Sequence, residues 1–424
     1  LEGATSLLLF PTKALAHDQL RRLRAMAQVL GVEGVFPYDG DTPSATRRQA
    51  RERGLVLLSN PDMLHYGLLP RHPDWAPFLA RLRYVVLDEL HAYRGVFGTH
   101  VALILRRLLR LARHYGASPQ VLAASATIAN AREHAEALTG LPFEELKAQV
   151  ARTERELLVL LPKPLDRRGE RRRSPLLEAA YLARRLAEAG LKGLVFAGAR
   201  KSAELIARYA AHPLVRPYRA GYTARERRRL EADLKEGRVR VLVSTSALEL
   251  GVDIGELDAV VLVGYPGSTA AFWQRAGRAG RGERRALLVY IPREDPMDEY
   301  FLHRPALLLE SPPEEAVADP QNPVLCPLHL HAAAREKPLL AEELLCPEAR
   351  ATLKERNGRF FTPKRNPHRE ITLRGLGATF TLRGPDGEVL GYLDERQAYW
   401  EAHPGAIYLH QGESYTVEDL DLDE

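Results

Sequence analysis

Tyr84-Val85-Val86-Leu87-Asp88-Glu89-Leu90-His91 is the stretch from which the fold is read. Apolar and aromatic residues run unbroken from Tyr84 to Leu87, as in a strand buried on both faces of a parallel sheet. Two carboxylates follow at once. Ligands of parallel α/β sheets lie outside the carboxyl ends of the strands, so Asp88 and Glu89 are expected to face such a crevice. Asp88 would hold Mg²⁺ through its water shell, and Glu89 would orient and deprotonate an attacking water. Nucleotide hydrolysis needs those two roles. Alone the acidic pair is a weak signal, because acidic strand ends are usually solvated.

Outward from this stretch the same rhythm repeats. Ser6–Phe10, Leu55–Ser59 and Val121–Ala124 read as further buried strands, and Ala14–Leu30, Val101–His114 and Ala131–Leu138 as amphipathic helices. Strands alternating with helices predict a parallel α/β domain over residues 1–150. The proline- and arginine-rich residues 151–175 read as a linker. The rhythm restarts over residues 176–310 with strands at Gly193–Ala197, Val239–Ser244, Ala259–Val263 and Arg285–Ile291. The fold class is therefore α/β, with two tandem parallel-sheet domains. Residues 311–424 change texture and predict a smaller accessory domain, helical over Leu325–Leu345 and β-rich from Arg359.

The whole chain fits that plan. At about 150 residues per domain, 424 residues predict about three domains. No apolar run approaches the roughly 20 residues that a membrane-spanning helix needs. Two cysteines, Cys326 and Cys346, exclude a disulfide framework and favour a reducing, cytoplasmic setting. The net charge of +5 names no partner by itself. Its composition says more, since only 9 of the 60 basic residues are lysine, and guanidinium groups suit phosphate recognition. For any single arginine cluster a solvated surface is the better account.

Gln274-Arg275-Ala276-Gly277-Arg278-Ala279-Gly280-Arg281 is more specific. Arg278 and Arg281, spaced by small residues, make a compact cationic surface suited to a triphosphate, in the role of arginine fingers. Gly277 and Gly280 argue against an ordinary basic helix. Ser125-Ala126-Thr127 follows a predicted strand, where Ser125 and Thr127 can hydrogen-bond the acidic motif.

Taken in order, these motifs resemble the core of superfamily 2 helicases of the DEAD/DEAH-box kind, built on two RecA-like domains. Pro11-Thr12-Lys13 and Ser59-Asn60-Pro61-Asp62 match the family's single-strand-contacting motifs, each after a predicted strand. Asp88–His91 matches Walker B, with His91 coupled to the nucleotide, and Ser125–Thr127 matches the coupling motif. Ser244-Thr245-Ser246, continuing through Gly251 and Asp253, matches the motif joining nucleic acid to nucleotide, and Gln274–Arg281 matches the arginine-finger motif. Tyr38-Asp39-Gly40-Asp41-Thr42-Pro43, Tyr93–Gly98, Phe272-Trp273 and Asn322-Pro323-Val324-Leu325 resemble the MrfA-like (YprA-like) DNA helicases. The resemblance implies ATP and Mg²⁺ as cofactors and Gln274, Asp253, Gly251 and His91 near the nucleotide. It also implies nucleic-acid contacts from Pro11, Thr12, Lys13, Asn60, Pro61, Asp62, Ser244, Thr245 and Ser246. Single-stranded or partly duplex DNA is the implied partner, with 3′-to-5′ translocation, a place in DNA repair with its proteins, and a monomeric state. An RNA helicase and a nucleic-acid-binding fragment without ATPase are the alternatives.

Two features depart from the family pattern. The chain holds no Gly-x-x-x-x-Gly-Lys-Ser/Thr phosphate loop. The family places it upstream of Pro11, so the chain is expected to be a product lacking that segment and inactive alone. The family's four-cysteine site is also absent from these residues. Cys326, His329, His331 and Cys346 lack a usual zinc spacing and read as buried thiols and surface imidazoles.

Overall fold

β1 (Thr5–Leu9), β2 (Val35–Tyr38), β3 (Val56–Ser59), β4 (Leu82–Leu87) and β5 (Gln120–Ala123) form one sheet in the order β2-β3-β1-β4-β5, every pair parallel. A second parallel sheet holds β6 (Arg155–Val159), β7 (Gly193–Phe196), β8 (Val215–Tyr218), β9 (Val241–Ser244), β10 (Ala259–Val263) and β11 (Ala286–Ile291), in the order β6-β11-β10-β7-β9-β8. The computed structural model describes residues 3–126, 128–147, 155–166, 171–249, 254–280, 285–373, 379–411 and 413–421. The chain divides into a first unit, 1–147 with 315–375, and a second, 148–314 with 376–424.

Central strands are continuous apolar runs because helices cover both faces of each sheet. All five residues of β10 are buried, and each buried Val or Leu contributes about 1.5–3 kcal/mol. Helix boundaries follow local chemistry. Thr12 caps Lys13–Val29 by accepting from the Leu15 N–H. Thr223 and Glu226 form a reciprocal capping box that starts Ala224–Glu236, and Gly237 ends it.

Several expectations change. Among the described residues β5 pairs with β4 alone, and Leu122 on it is 45% exposed, so the burial expected of this apolar run is not met within them. The expected linker contains the whole of β6, whose residues pair with Ala286–Tyr290 of β11. Its Arg-Glu start disguised it, and an edge position tolerates charge. Glu370–Arg374, which reads as a strand, instead begins within a 3₁₀ turn, Pro367–Glu370, and its described residues 371–373 form no strand; Arg374 lies outside the described residues.

Residues 311–424, expected as one accessory domain, are shared between the units. In the first unit, helix Leu325–Glu336 packs on helix Gly95–His114. Between them the Arg107 Nε lies 3.2 Å from both Glu336 carboxylate oxygens, and its Nη1 lies 2.9 Å from His65 Nδ1 and 3.2 Å from His329 Nδ1. His368 Nε2 adds a 2.9 Å contact to Glu336, and His100 one of 2.9 Å to His329. In the second unit, hairpins Thr379–Arg383/Val389–Asp394 and Ile407–His410/Glu413–Thr416 flank helix Glu395–Glu401. Buried Arg219 anchors them: it donates to the Leu409 carbonyl at 2.8 Å, pairs with Glu204 at 3.3 Å, and lies over the rings of Tyr222 and Tyr408.

Candidate functional site

In the first unit the motifs gather at the carboxyl ends of β1, β3, β4 and β5. Asp88 leaves β4 with its N–H bonded to the Leu9 carbonyl at 3.0 Å, and its carboxylate accepts from the Glu89 N–H at 2.9 Å. Glu89 takes a left-handed conformation, φ 51°, which for a non-glycine residue costs about 1–3 kcal/mol and is typical of functional turns. The turn is held by a 2.8 Å bond from the Leu90 N–H to the Ala124 carbonyl. It brings buried His91 between two partners, Nε2 3.3 Å from the Glu89 carboxylate and Nδ1 3.4 Å from the Ser125 hydroxyl. Glu89, His91 and Ser125 thus form one connected row; Thr127 lies outside the described residues.

Burial, and then the adjacent Glu89 charge, raise the Asp88 carboxyl above its ordinary value. A cation beside such a group favours its ionised form. Mg²⁺ uses one or two carboxylates together with substrate phosphates rather than an all-protein cage, and Asp88 fits that pattern. Among the described residues no three His, Cys, Asp or Glu side chains gather as a metal site. Cys326 and Cys346 lie side by side in one buried cluster, but the two histidines do not join them as a metal site. His329 bonds His100 and Arg107, while His331 bonds Thr362 at 2.8 Å and Thr352 at 3.0 Å, and both imidazoles, expected at the surface, are buried.

Pro11 and Thr12 follow β1, and Lys13 opens the helix that Thr12 caps. The exposed Lys13 ammonium pairs with Asp41 at 3.0 Å. Asp39, in the same turn, accepts from the Thr42 hydroxyl at 2.9 Å and contacts His17 Nε2 at 2.6 Å. Burial would raise the Asp39 carboxyl, but His17 and Thr42 bring it down to about 2. The Tyr38–Pro43 motif therefore supports the loop bearing Lys13, a role that no spacing rule reveals. Helix starts attract phosphate through unpaired N–H groups and the helix dipole. Asn60 is buried and accepts from the Met63 N–H at 2.8 Å, capping the turn that Pro61 and Asp62 begin.

Tyr93–Gly98 and Asn322–Leu325, distant in sequence, meet around one open groove lined by Arg94, Gly95, Val96, Asn322 and Leu325. Gly98 is required there, since a Cβ would stand 2.2 Å from the Tyr93 carbonyl oxygen.

In the second unit Ser244 closes β9, and its carbonyl accepts from the Ala197 N–H at 2.7 Å. Thr245 and Ser246 lead into a short 3₁₀ turn, Ser246–Leu248, that ends at Glu249. Glu249 was not evident from sequence, yet it binds both nearby arginines. Its carboxylate pairs with Arg275 at 2.8 Å, and its carbonyl accepts from Arg278 Nε at 3.2 Å and Nη2 at 2.6 Å. Gln274 and Arg275 lie on helix Thr269–Ala276, which stops at Gly277. Arg278 lies beyond that end, 4% exposed and held in a tightly bonded turn. Gly280 permits the turn with φ 75°. Trp273 is half-buried, edge-on to Phe272. Gly251, Asp253 and Arg281 lie outside the described residues.

Residues 1–135 match the DEAD/DEAH box helicase family, and residues 177–283 match the helicase conserved C-terminal domain. The ATP-dependent helicase YprA of Bacillus subtilis is 38% identical over 100% of this chain and 60% of its own length. A crystal structure of the DUF1998 helicase MrfA bound to DNA and AMPPNP superposes with a TM-score of 0.92, at 37% identity, over 100% of this chain and 63% of that one. The chain belongs to the MrfA-like (YprA-like) superfamily 2 helicases. Another relative of this helicase is hrq1 of Schizosaccharomyces pombe, 31% identical over 99% of this chain and 43% of its own length. The chain spans about 60% of the length of the YprA relative it matches.

Proposed function

We propose that this helicase core couples ATP hydrolysis to 3′-to-5′ movement along single-stranded or partly duplex DNA, as a monomer serving DNA repair in the cytoplasm. The observation that carries the reading is the row Glu89–His91–Ser125 at the carboxyl end of the first sheet. It shares that edge with the Pro11–Lys13 and Asn60–Asp62 loops.

Asp88 would hold Mg²⁺, which supplies neutralisation of phosphate charge and orientation of ATP. Glu89 orients the attacking water and accepts its proton. His91 carries the state of Glu89 to Ser125 and Thr127. Arg278 and Arg281 stabilise charge on the transferring phosphoryl group, and Gln274, Gly251 and Asp253 bind around the nucleotide. Pro11, Thr12, Lys13, Asn60, Pro61, Asp62, Ser244, Thr245 and Ser246 hold the phosphate backbone, which positions a strand without reading its sequence.

The test is unwinding by the full-length protein of 3′-tailed and 5′-tailed DNA duplexes and of matching RNA duplexes. Selective, ATP-dependent opening of 3′-tailed DNA is expected; equal or preferential opening of RNA overturns the choice of substrate. Residues 1–424, which contain no phosphate-loop pattern, are expected to bind single-stranded DNA weakly and to turn over no ATP. Robust turnover that Glu89→Gln abolishes would overturn that expectation.

A further inference from the structure

The helix Thr269–Ala276 is fixed at both ends. At its far end Arg275 and Arg278 are bonded to Glu249. At its near end Ser268 Oγ accepts from the Ala271 N–H at 3.1 Å. The remaining first-turn donors are taken by a residue remote in sequence. One oxygen of Glu314 accepts from the Thr269 N–H at 2.6 Å and the other from the Ala270 N–H at 3.0 Å. A carboxylate on two successive amides at a helix start gains from charge-assisted bonds and from the helix dipole. Partial desolvation opposes ionisation of this otherwise exposed side chain, but the amides hold the Glu314 carboxyl below its ordinary value.

The chain does not continue in the same unit. Glu314 ends the 148–314 segment of the second unit, and Glu315 begins the 315–375 segment of the first. Two residues after Glu314, Ala316 is bonded in the first unit through both backbone groups. Its N–H donates to Asn130 Oδ1 at 2.8 Å, and its carbonyl accepts from Asn130 Nδ2 at 3.0 Å. The Gly95 N–H then bonds the Val317 carbonyl at 2.7 Å, and Thr99 Oγ1 accepts from the Asp319 N–H at 2.9 Å. Asn130 stands five positions after Ser125 and precedes helix Ala131–Thr139.

We propose that Glu314 is a positioning residue for hydrolysis: it sets the start of the helix that delivers Arg278, and the short covalent stretch to Ala316 ties that anchor to Asn130. Each bond lies within its own unit, and the connection is the chain itself. This rests on the arginine role proposed above. A helix held only by Ser268 at its start fluctuates more, and small misplacement of a transition-state donor lowers turnover more than it lowers binding.

The experiment compares the full-length protein with its Glu314→Ala, Glu314→Gln, Arg278→Ala and Arg278→Ala/Glu314→Ala variants. Glu314→Ala is expected to lower DNA-stimulated kcat about tenfold, the scale of a lost cap. KM for ATP and nucleotide-free DNA affinity should move less than about twofold. Glu314→Gln, which keeps one acceptor, should recover part of kcat. In the Arg278→Ala background the Glu314→Ala change should add almost nothing, as for residues acting through one group. An equal further loss there, or a fall in nucleotide-free DNA binding, overturns the proposal. Hydrogen–deuterium exchange is read on the same proteins. Residues 269–276 should exchange faster in Glu314→Ala, while Ala224–Glu236 stays unchanged; no difference at 269–276 overturns the proposal even if the unaltered protein lacks ATPase. That last result would separately sink the proposed hydrolysis.

Discussion

His91 is held between the Glu89 carboxylate and the Ser125 hydroxyl, one ring nitrogen facing each. A neutral imidazole donates through one nitrogen and accepts through the other, so under the proposed mechanism a proton gained by Glu89 would reverse which side of the ring donates. His91→Ala removes that link. We expect DNA-stimulated turnover to fall about tenfold, within the range for a proton-coupled side chain, with nucleotide-free DNA affinity unchanged. Titrating ATPase against DNA concentration measures this; retained full stimulation would exclude the link.

Glu89→Gln keeps the left-handed turn and most of the side-chain volume but removes the base. Turnover should fall about 10²-fold or more, while a fluorescent ATP analogue binds the full-length protein nearly as before. Hydrolysis near the original rate would assign the water elsewhere.

Arg278→Ala should lower kcat about 10³-fold, the scale of an arginine finger, and leave DNA binding without nucleotide intact. Arg278→Lys should not rescue it, because one ammonium cannot reproduce the two guanidinium bonds to the Glu249 carbonyl. Loss of DNA binding with normal kcat would reassign the residue to the nucleic acid.

Binding of single-stranded DNA should weaken steeply with salt, with a slope of about −0.7 per phosphate contact. Lys13→Ala should reduce the slope by about one contact. An unchanged slope would leave Lys13 serving only its pair with Asp41.

Acid should unfold the first unit through its buried histidines. Burial, then the Arg107 charge, bring His65 from 6.5 down to about 3, and burial also lowers His100 and His329. The unfolded chain takes up these protons first, so stability declines as pH falls from 6.5 toward 3. Burial would raise Glu336, but Arg107 and His368 bring it from 4.5 down to about 2. Its contribution is present above pH 4.5 and declines as pH falls toward 2. Thermal melts should be flat near neutrality and fall continuously through both windows. Glu336→Gln should cost about 3–5 kcal/mol by leaving a buried guanidinium unpaired, and a melt unchanged at pH 7 would contradict that.

Much of this arrangement was legible in the residues. The runs at Leu7–Leu9, Tyr84–Leu87 and Ala259–Val263 read as strands because both sheet faces are covered, and the motifs follow strand ends as ligand sites in this fold must. The exposure of Leu122 on β5 was not legible, because an apolar run does not reveal which of its sides are covered. β6 was hidden by Arg155 and Glu156. Burial of Arg278 was hidden because its acceptor is a backbone carbonyl, which leaves no mark in sequence. The sharing of the C-terminal residues rests on Arg107 with Glu336 and Arg219 with Leu409, separated by 229 and 190 positions. No local pattern reaches that far.

That separation bears on how the protein is made. On the ribosome, Arg107 emerges 229 residues before Glu336, with most of the second α/β body synthesised between them. Through that interval the nascent first unit carries a guanidinium and His65 without their closing carboxylate, on a surface that helix Leu325–Glu336 later covers. Domains usually fold in order of synthesis; here the first to begin is completed only after most of the other has been translated. A growing chain of this kind offers chaperones a long-lived half-finished face, and a premature stop before Glu336 leaves that face uncovered.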